Sequence, residues 1–265
     1  MTRRRESACR MAIVPSQGMI CMKNSALVVA AAGLLACTLP AQAQQKVESL
    51  GLTITTQLTL ATDYLFRGVS QTQTGPAIQG TLDIEHDIGL YVAGFASNVD
   101  FASPSDANIE LDGLFGYRRE LFGIKFDLGA IYYAYPGASD RPYTLNYWEF
   151  ALKASYEIGP ATLMASGYYS PDFQLESGTA FYFEGGVDLK LPFDFVLSGR
   201  AGHQSIDNNT RFGLPDFWNW SIAVSREFYG FTLAVGYYDT DISKRECAGS
   251  NICSARALAS ISRKF

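Results

Sequence analysis

His203 and Ser205 stand two residues apart in "HQS". A serine beside an imidazole is the minimal kit for nucleophilic acyl transfer, with the ring taking the hydroxyl proton. On a strand the two share one face, about 7 Å apart. Asp207, Asn208 and Asn209 follow, but none is placed by spacing as the orienting third group. The plainer reading is a histidine at the rim of a sheet. The other histidine, His86, falls in a short turn. Cys247 and Cys253 are separated by "AGSNI" and have no further metal-ligating residues of the right type beside them, so a disulfide is expected in an exported chain. The acidic "DTDIS" over 239–243 suits hydration better than metal binding. Phosphate-binding glycine loops and HExxH are absent, and no cofactor or metal site is expected.

The rest of the ionisable residues follow a different pattern. In "LTLATDYLFRGVSQT", residues 58–72, Leu58, Leu60, Tyr64 and Phe66 alternate with Thr59, Asp63 and Arg67. The same alternation recurs in twelve segments: 52–67, 77–85, 90–101, 108–118, 124–135, 147–156, 161–170, 181–190, 195–204, 218–226, 231–238 and 256–265. Most are about 9–12 residues long, the length of a tilted strand crossing a bilayer. The connections alternate between short ("HDIG", "RELFG", "EIGP", "KLPF", "REFYG") and long. That sorting predicts an all-β, antiparallel up-and-down transmembrane barrel of twelve strands with both termini at the short-turn end.

The greasier parity of each segment is read as facing lipid, including Tyr91, Ala93 and Phe95 of the third. The opposite parity carries Asp63, Arg67, Asp83, Glu85, Glu110, Asp112, Arg118, Lys125, Asp127, Glu149, Lys153, Glu184, Asp188, Lys190, Arg200 and Arg256. So many charges cannot fill a dry core, because an unpaired buried charge is strongly unfavourable. They are assigned to the barrel lumen. Asp63 and Arg67, placed on one strand, are expected about 13 Å apart and unable to touch. Tyr133, Tyr135, Tyr147, Tyr182 and Tyr238 share the inward parity and narrow the bore.

The N-terminus is read as an export signal. Arg3, Arg4, Arg5, Arg10 and Lys23 precede the apolar run 26–40, and "AQA" follows at 41–43. Residues 1–43 are assigned to the signal peptide, with Met22 as a candidate true start, and 44–265 to a single barrel domain. The competing processing site is "LLAC", 34–37, which would leave a lipidated Cys37. Removing the five basic residues and Glu6 takes the net charge from −5 to −9. An acidic mature chain argues against a nucleic-acid partner. The terminal "ASISRKF" places Phe265, Ile261 and Ala259 on one parity, and Phe265 is read as the residue recognised by the barrel-insertion machinery.

"LTLATDYLFRGVSQTQTGPAIQGTLDIEHDIGLYVAGFASNVDF", 58–101, resembles the opening block of the TorF porin family of Gram-negative bacteria, and the cysteine pair before "ARALASISRKF" resembles that family's ending. The resemblance covers essentially the whole mature chain. It implies an outer-membrane β-barrel and carries no active site. The expected function is passive diffusion of small solutes or ions through a narrow, mildly cation-preferring channel. The partners are outer-membrane lipid and the insertion machinery. The alternatives are an outer-membrane lipid hydrolase using His203 and Ser205, and a non-conducting scaffold or receptor.

Overall fold

Strict period-2 alternation broken by glycine-bearing turns can satisfy its backbone only by pairing neighbouring strands, and a sheet of this kind escapes exposed edges by closing on itself. The computed structural model describes residues 44–101 and 106–265. The leader, with Met22, Cys37 and the cleavage point after Ala43, lies outside the described residues.

The strands are β1 Gln45–Val47, β2 Leu52–Ala61, β3 Leu65–Phe66, β4 Val69–Ser70, β5 Ala77–His86, β6 Leu90–Asn98, β7 Ile109–Leu121 and β8 Ile124–Ala134. They continue with β9 Tyr147–Ile158, β10 Ala161–Ser170, β11 Ala180–Lys190, β12 Phe195–Ile206, β13 Phe217–Phe228, β14 Phe231–Thr240 and β15 Arg256–Lys264. Each strand from β5 to β15 pairs antiparallel with the next, and β15 pairs with β2, which pairs with β5. This closes a twelve-stranded barrel of β2 and β5–β15. β15 reaches β2 only as far as Lys264 opposite Gln57, with Phe265 and Thr56 exchanging backbone hydrogen bonds at 2.8 and 3.1 Å. Below that point β1 takes the same edge, pairing Val47 with Leu52 and Gln45 with Ile54. The extra strand covers the part of β2 that β15 leaves unpaired.

At one end the strands turn tightly. Phe122–Gly123 and Tyr229–Gly230 have φ of 54° and 78°, and 50° and 77°. Both residues of each pair are thus left-handed, the geometry that matches the twist of a two-residue hairpin. At the other end lie the long connections.

The faces are inverted relative to a soluble sheet. Leu128, Phe183 and Val235 point outward and are 59%, 60% and 57% exposed, whereas inward Tyr147 and Glu149 are 4% and 1% exposed. An apolar band this extensive on a monomer requires a lipid or protein partner.

Two expectations are corrected. The strand expected over 52–67 ends at Ala61; Thr62 still donates its N–H to Ala259 at 2.9 Å, then the chain turns into the barrel and forms the β3–β4 hairpin. Tyr91, Ala93 and Phe95 face inward, opposite Glu85, Asp83 and Thr81, while Leu90 and Val92 face out at 53% and 54% exposure. Both parities of β6 are apolar, and aromatic count was a poor guide because the Tyr91 ring has a polar duty inside.

Candidate functional site in the barrel lumen

Residues 62–76 leave β2 and fold down the bore instead of standing above it. The tip of this segment is Arg67–Gly68, with φ of 51° and 83°, between the pairs Leu65–Ser70 and Phe66–Val69. Glycine is needed at 68: a Cβ there would lie 2.7 Å from Thr240 Cγ2 and 3.1 Å from Asn219 Cβ. The base of the hairpin is tied by Asp63, which is 4% exposed. Its carboxylate accepts from Ser70 Oγ at 2.7 Å, Thr72 Oγ1 at 2.8 Å and Arg256 at 2.6 Å. Tyr64 donates its hydroxyl to Glu110 at 2.5 Å.

Arg67 is the centre of the constriction. One guanidinium nitrogen donates to both oxygens of Glu149 at 2.8 Å, and the other to Gln204. The two charged side chains are 6% and 2% exposed. The rings of Tyr182, Phe66, Tyr168 and Phe173 surround the guanidinium at 4.2, 4.5, 5.2 and 5.9 Å. Tyr133 stacks on Tyr147 at 4.4 Å and donates to Glu149 at 3.1 Å. A buried ion pair survives such surroundings only when its remaining hydrogen-bonding capacity is met, and here Gln204 and Tyr133 meet it.

Above the hairpin, among the long connections, opens a cavity of about 790 Å³ whose lining includes Gln71, Tyr143, Gln174, Arg141 and Arg211. It narrows to a neck of about 40 Å³ lined by Arg67, Tyr147, Phe173 and Gln204. Below the hairpin are two chambers of about 620 and 550 Å³, with Arg118 in the wall of both. The hairpin thus lies between the cavity among the long connections and the two chambers that share Arg118.

The lower chambers hold most of the other inward charges. Arg118 bonds Asp83 at 2.8 Å, Glu85 at 2.6 Å and Asp127 at 3.4 Å, with the Tyr91 ring 3.7 Å away. Tyr91 in turn donates to Asp127 at 2.8 Å. Lys125 pairs with Glu157 and Arg200 with Asp188, both at 2.7 Å. Lys153 lies 5.8 Å from the Tyr168 ring, Glu184 accepts from Tyr182, and Lys190 sits exposed at the short-turn rim. Glu110 and Asp112 lie near the long-loop end of β7, and neither forms an ion pair among the described residues; Asp112 Oδ1 is buried with no hydrogen bond. Asp63 and Arg67 do not meet: one is bound to Arg256, the other to Glu149.

The disulfide Cys247–Cys253 is formed, with both residues buried. It packs with Val69 of the hairpin, and Ser70 donates its N–H to Ile252 inside the disulfide loop at 2.9 Å. Spacing alone places the bridge in the last connection but says nothing of this clasp on the hairpin. Gln204 was also missed, since an amide carries no charge to mark it.

His203 and Ser205 lie on the outward face, in register with Phe183 and Phe181. The His203 ring rests 4.8 Å from Trp218 and makes no hydrogen bond to Ser205. In "DTDIS", Asp239 accepts from the Tyr237 hydroxyl at 2.9 Å and Asp241 from the Trp218 N–H at 2.8 Å. Among the described residues no group of three or more His, Cys, Asp or Glu could hold a metal.

The family model of a "bacterial protein of unknown function (Gcw_chp)" matches residues 45–265. The chain belongs to this family. The match carries that description and not the TorF name suggested by the opening block. No curated protein matches in sequence. Among solved structures, the chain is similar to a KdgM porin in complex with disordered oligogalacturonate, at TM-score 0.50 and 7% identity, covering 80% of this chain and 97% of that one. It is also similar to the NanC porin, at TM-score 0.51 and 10% identity, covering 80% and 98%. The family member thus has the fold of these outer-membrane porins.

Proposed function

We propose that this Gcw_chp protein is a narrow outer-membrane channel of the TorF type, in which residues 62–76 set the conductance. On this reading the signal peptide 1–43 directs export, 44–265 is the barrel domain, and Phe265 presents the last strand to the insertion machinery. The short turns face the periplasm and the long connections face outward. The observation that carries the proposal is the lumen itself: charge-lined chambers on one side, a wider cavity on the other, and the hairpin between them. A scaffold has no need of a paired, charge-lined interior on both sides of a constriction.

Small ions or small solutes are the cargo. Signs are mixed along the lower lumen, which gives no continuous basic track for a polyanion such as the oligogalacturonate bound by KdgM. Arg67 is neutralised by Glu149, while the inward residues named above hold more acids than bases, so a mild cation preference is expected. The lipid-hydrolase alternative needs Ser205 activated by His203, and the His203 ring instead rests against Trp218. The test is planar-bilayer recording of the refolded barrel. Small, infrequent openings in the full chain and frequent larger ones after shortening 64–71 to a glycine linker support the channel. Silence in both, with a folded barrel, favours the scaffold.

A further inference from the structure

The cavity among the long connections differs in charge from the chain as a whole. The sequence has 26 acids against 21 Lys and Arg, yet the lining of this cavity contains two arginines, Arg141 and Arg211, and no carboxylate. Acids do stand on the same connections, where several hold the loops in shape. Asp140 accepts from Thr144 Oγ1 at 3.0 Å, Asp172 from the Gly178 N–H at 3.1 Å and Asp216 from the Ile206 N–H at 2.9 Å. Neither arginine of the lining forms an ion pair among the described residues.

Arg211 is held in place for a ligand rather than by an acid. Its backbone N–H donates to Asn208 Oδ1 at 3.0 Å, and one guanidinium nitrogen donates to the Glu176 carbonyl at 2.6 Å. The guanidinium lies 4.3 Å from the centroid of Tyr143. A guanidinium has five N–H donors in a planar fork, so most of them are left over. Tyr143 stands two residues after Arg141, which brings both cations to one part of the wall. The bonds that Arg141 makes to Ser139 use its backbone, and its guanidinium makes none among the described residues. The rest of the lining is mainly apolar, with Leu145, Phe212, Leu214 and Ile252. Gln71 of the hairpin segment and Gln174 line both this cavity and the neck beneath it.

Two cations with no resident acid, set in a largely apolar cup, select an anion with an apolar body. A carboxylate offers two oxygens to the guanidinium fork. A flat ring gains from offset or edge contact with aromatic side chains. The volume, about 790 Å³, lies within the range of small-molecule sites. We propose that this cavity binds a small aromatic monocarboxylate, its carboxylate on Arg141 and Arg211 and its ring against Tyr143 and Phe212. A sugar acid fits less well, because hydroxyls set against Leu145, Leu214 and Ile252 lose their hydrogen bonds to water without replacement. The inference deepens the channel reading by naming a class of solute presented at the mouth. It rests on that reading for the direction of entry but not on conductance. The preference among small ions is set farther down by the inward charges of the strands, whereas capture at the mouth requires ring and carboxylate together. A solute seated here rests on Gln71, and so on the segment that separates the mouth from the lower chambers.

The test is isothermal titration calorimetry of the refolded full-length barrel in phosphatidylcholine nanodiscs, with empty nanodiscs as background. The probes are 4-hydroxybenzoate, its neutral analogue 4-hydroxybenzamide, and glucuronate. The benzoate should bind saturably, and the other two at least about tenfold more weakly, since a hydrogen bond to a charged group is worth that factor or more. Arg141→Gln/Arg211→Gln should weaken the benzoate by a similar factor, and Arg141→Lys/Arg211→Lys should keep part of the affinity. Heat-modifiable migration checks that each variant is folded. No saturable binding above background, equal binding of acid and amide, glucuronate binding as tight as the benzoate, or a glutamine variant that binds like the parent each overturns the proposal. Saturable, arginine-dependent binding by a barrel that is silent in planar bilayers upholds the site and sinks the channel reading. Conduction without binding sinks the site and leaves the channel standing.

Discussion

Removing one charge from the Arg67–Glu149 pair should open the lumen, and removing both should close it again. Both side chains are almost completely buried and joined by two 2.8 Å hydrogen bonds. Arg67→Met leaves Glu149 with the Tyr133 hydroxyl as its remaining side-chain donor among the described residues, and an uncompensated buried charge costs about 3–5 kcal/mol. If the hairpin escapes that cost by leaving its seat, its seated-to-displaced ratio falls by roughly 10²–10³-fold. Glu149→Met should act the same way through the orphaned guanidinium. In Arg67→Met/Glu149→Met two apolar side chains meet among Phe66, Tyr147, Phe173 and Tyr182, and exchange of a buried pair for packed apolar groups is often neutral. The cycle therefore predicts strong non-additivity. The assay is open probability in planar bilayers at matched protein density. If both single variants are as quiet as the parent, or if the double variant opens more than either single, the hairpin is not held by this pair and the reasoning is refuted.

Other expectations follow from neighbouring groups. Glu110→Gln/Asp112→Asn should move the reversal potential in a salt gradient toward anions; an unchanged potential would remove these acids from the conduction path. Cys247→Ser/Cys253→Ser should leave heat-modifiable migration intact yet raise open probability, since the loop that holds Ser70 through Ile252 is loosened; a channel as quiet as the parent would reduce the bridge to a loop staple. Deleting Phe265 should lower outer-membrane abundance under native expression, measured by quantitative blotting of fractionated membranes, because the last strand loses its terminal aromatic and its bonds to Thr56; unchanged abundance would contradict the assembly role.

What the sequence determined by itself is local and periodic. Alternation and turn residues are properties of a few adjacent positions, so strands such as β10 over Ala161–Ser170 and the tight turns beside Gly123 and Gly230 could be read directly. The inverted polarity of the faces followed from counting charges too numerous for a dry core. Tertiary structure decided the rest. β6 has two apolar parities, and only its pairing with Asp83 and Glu85 turns Tyr91 inward toward Arg118. β1 is a strand because it takes the stretch of the β2 edge that β15 leaves unpaired, a fact about barrel closure that no local pattern contains. The hairpin is the sharpest case. Arg67 continues the alternation of β2 and reads as one more lumen charge, yet its seat is made by Glu149 and Gln204, 82 and 137 residues away. A plug is defined by the groups that receive it, and those converge only when the barrel closes.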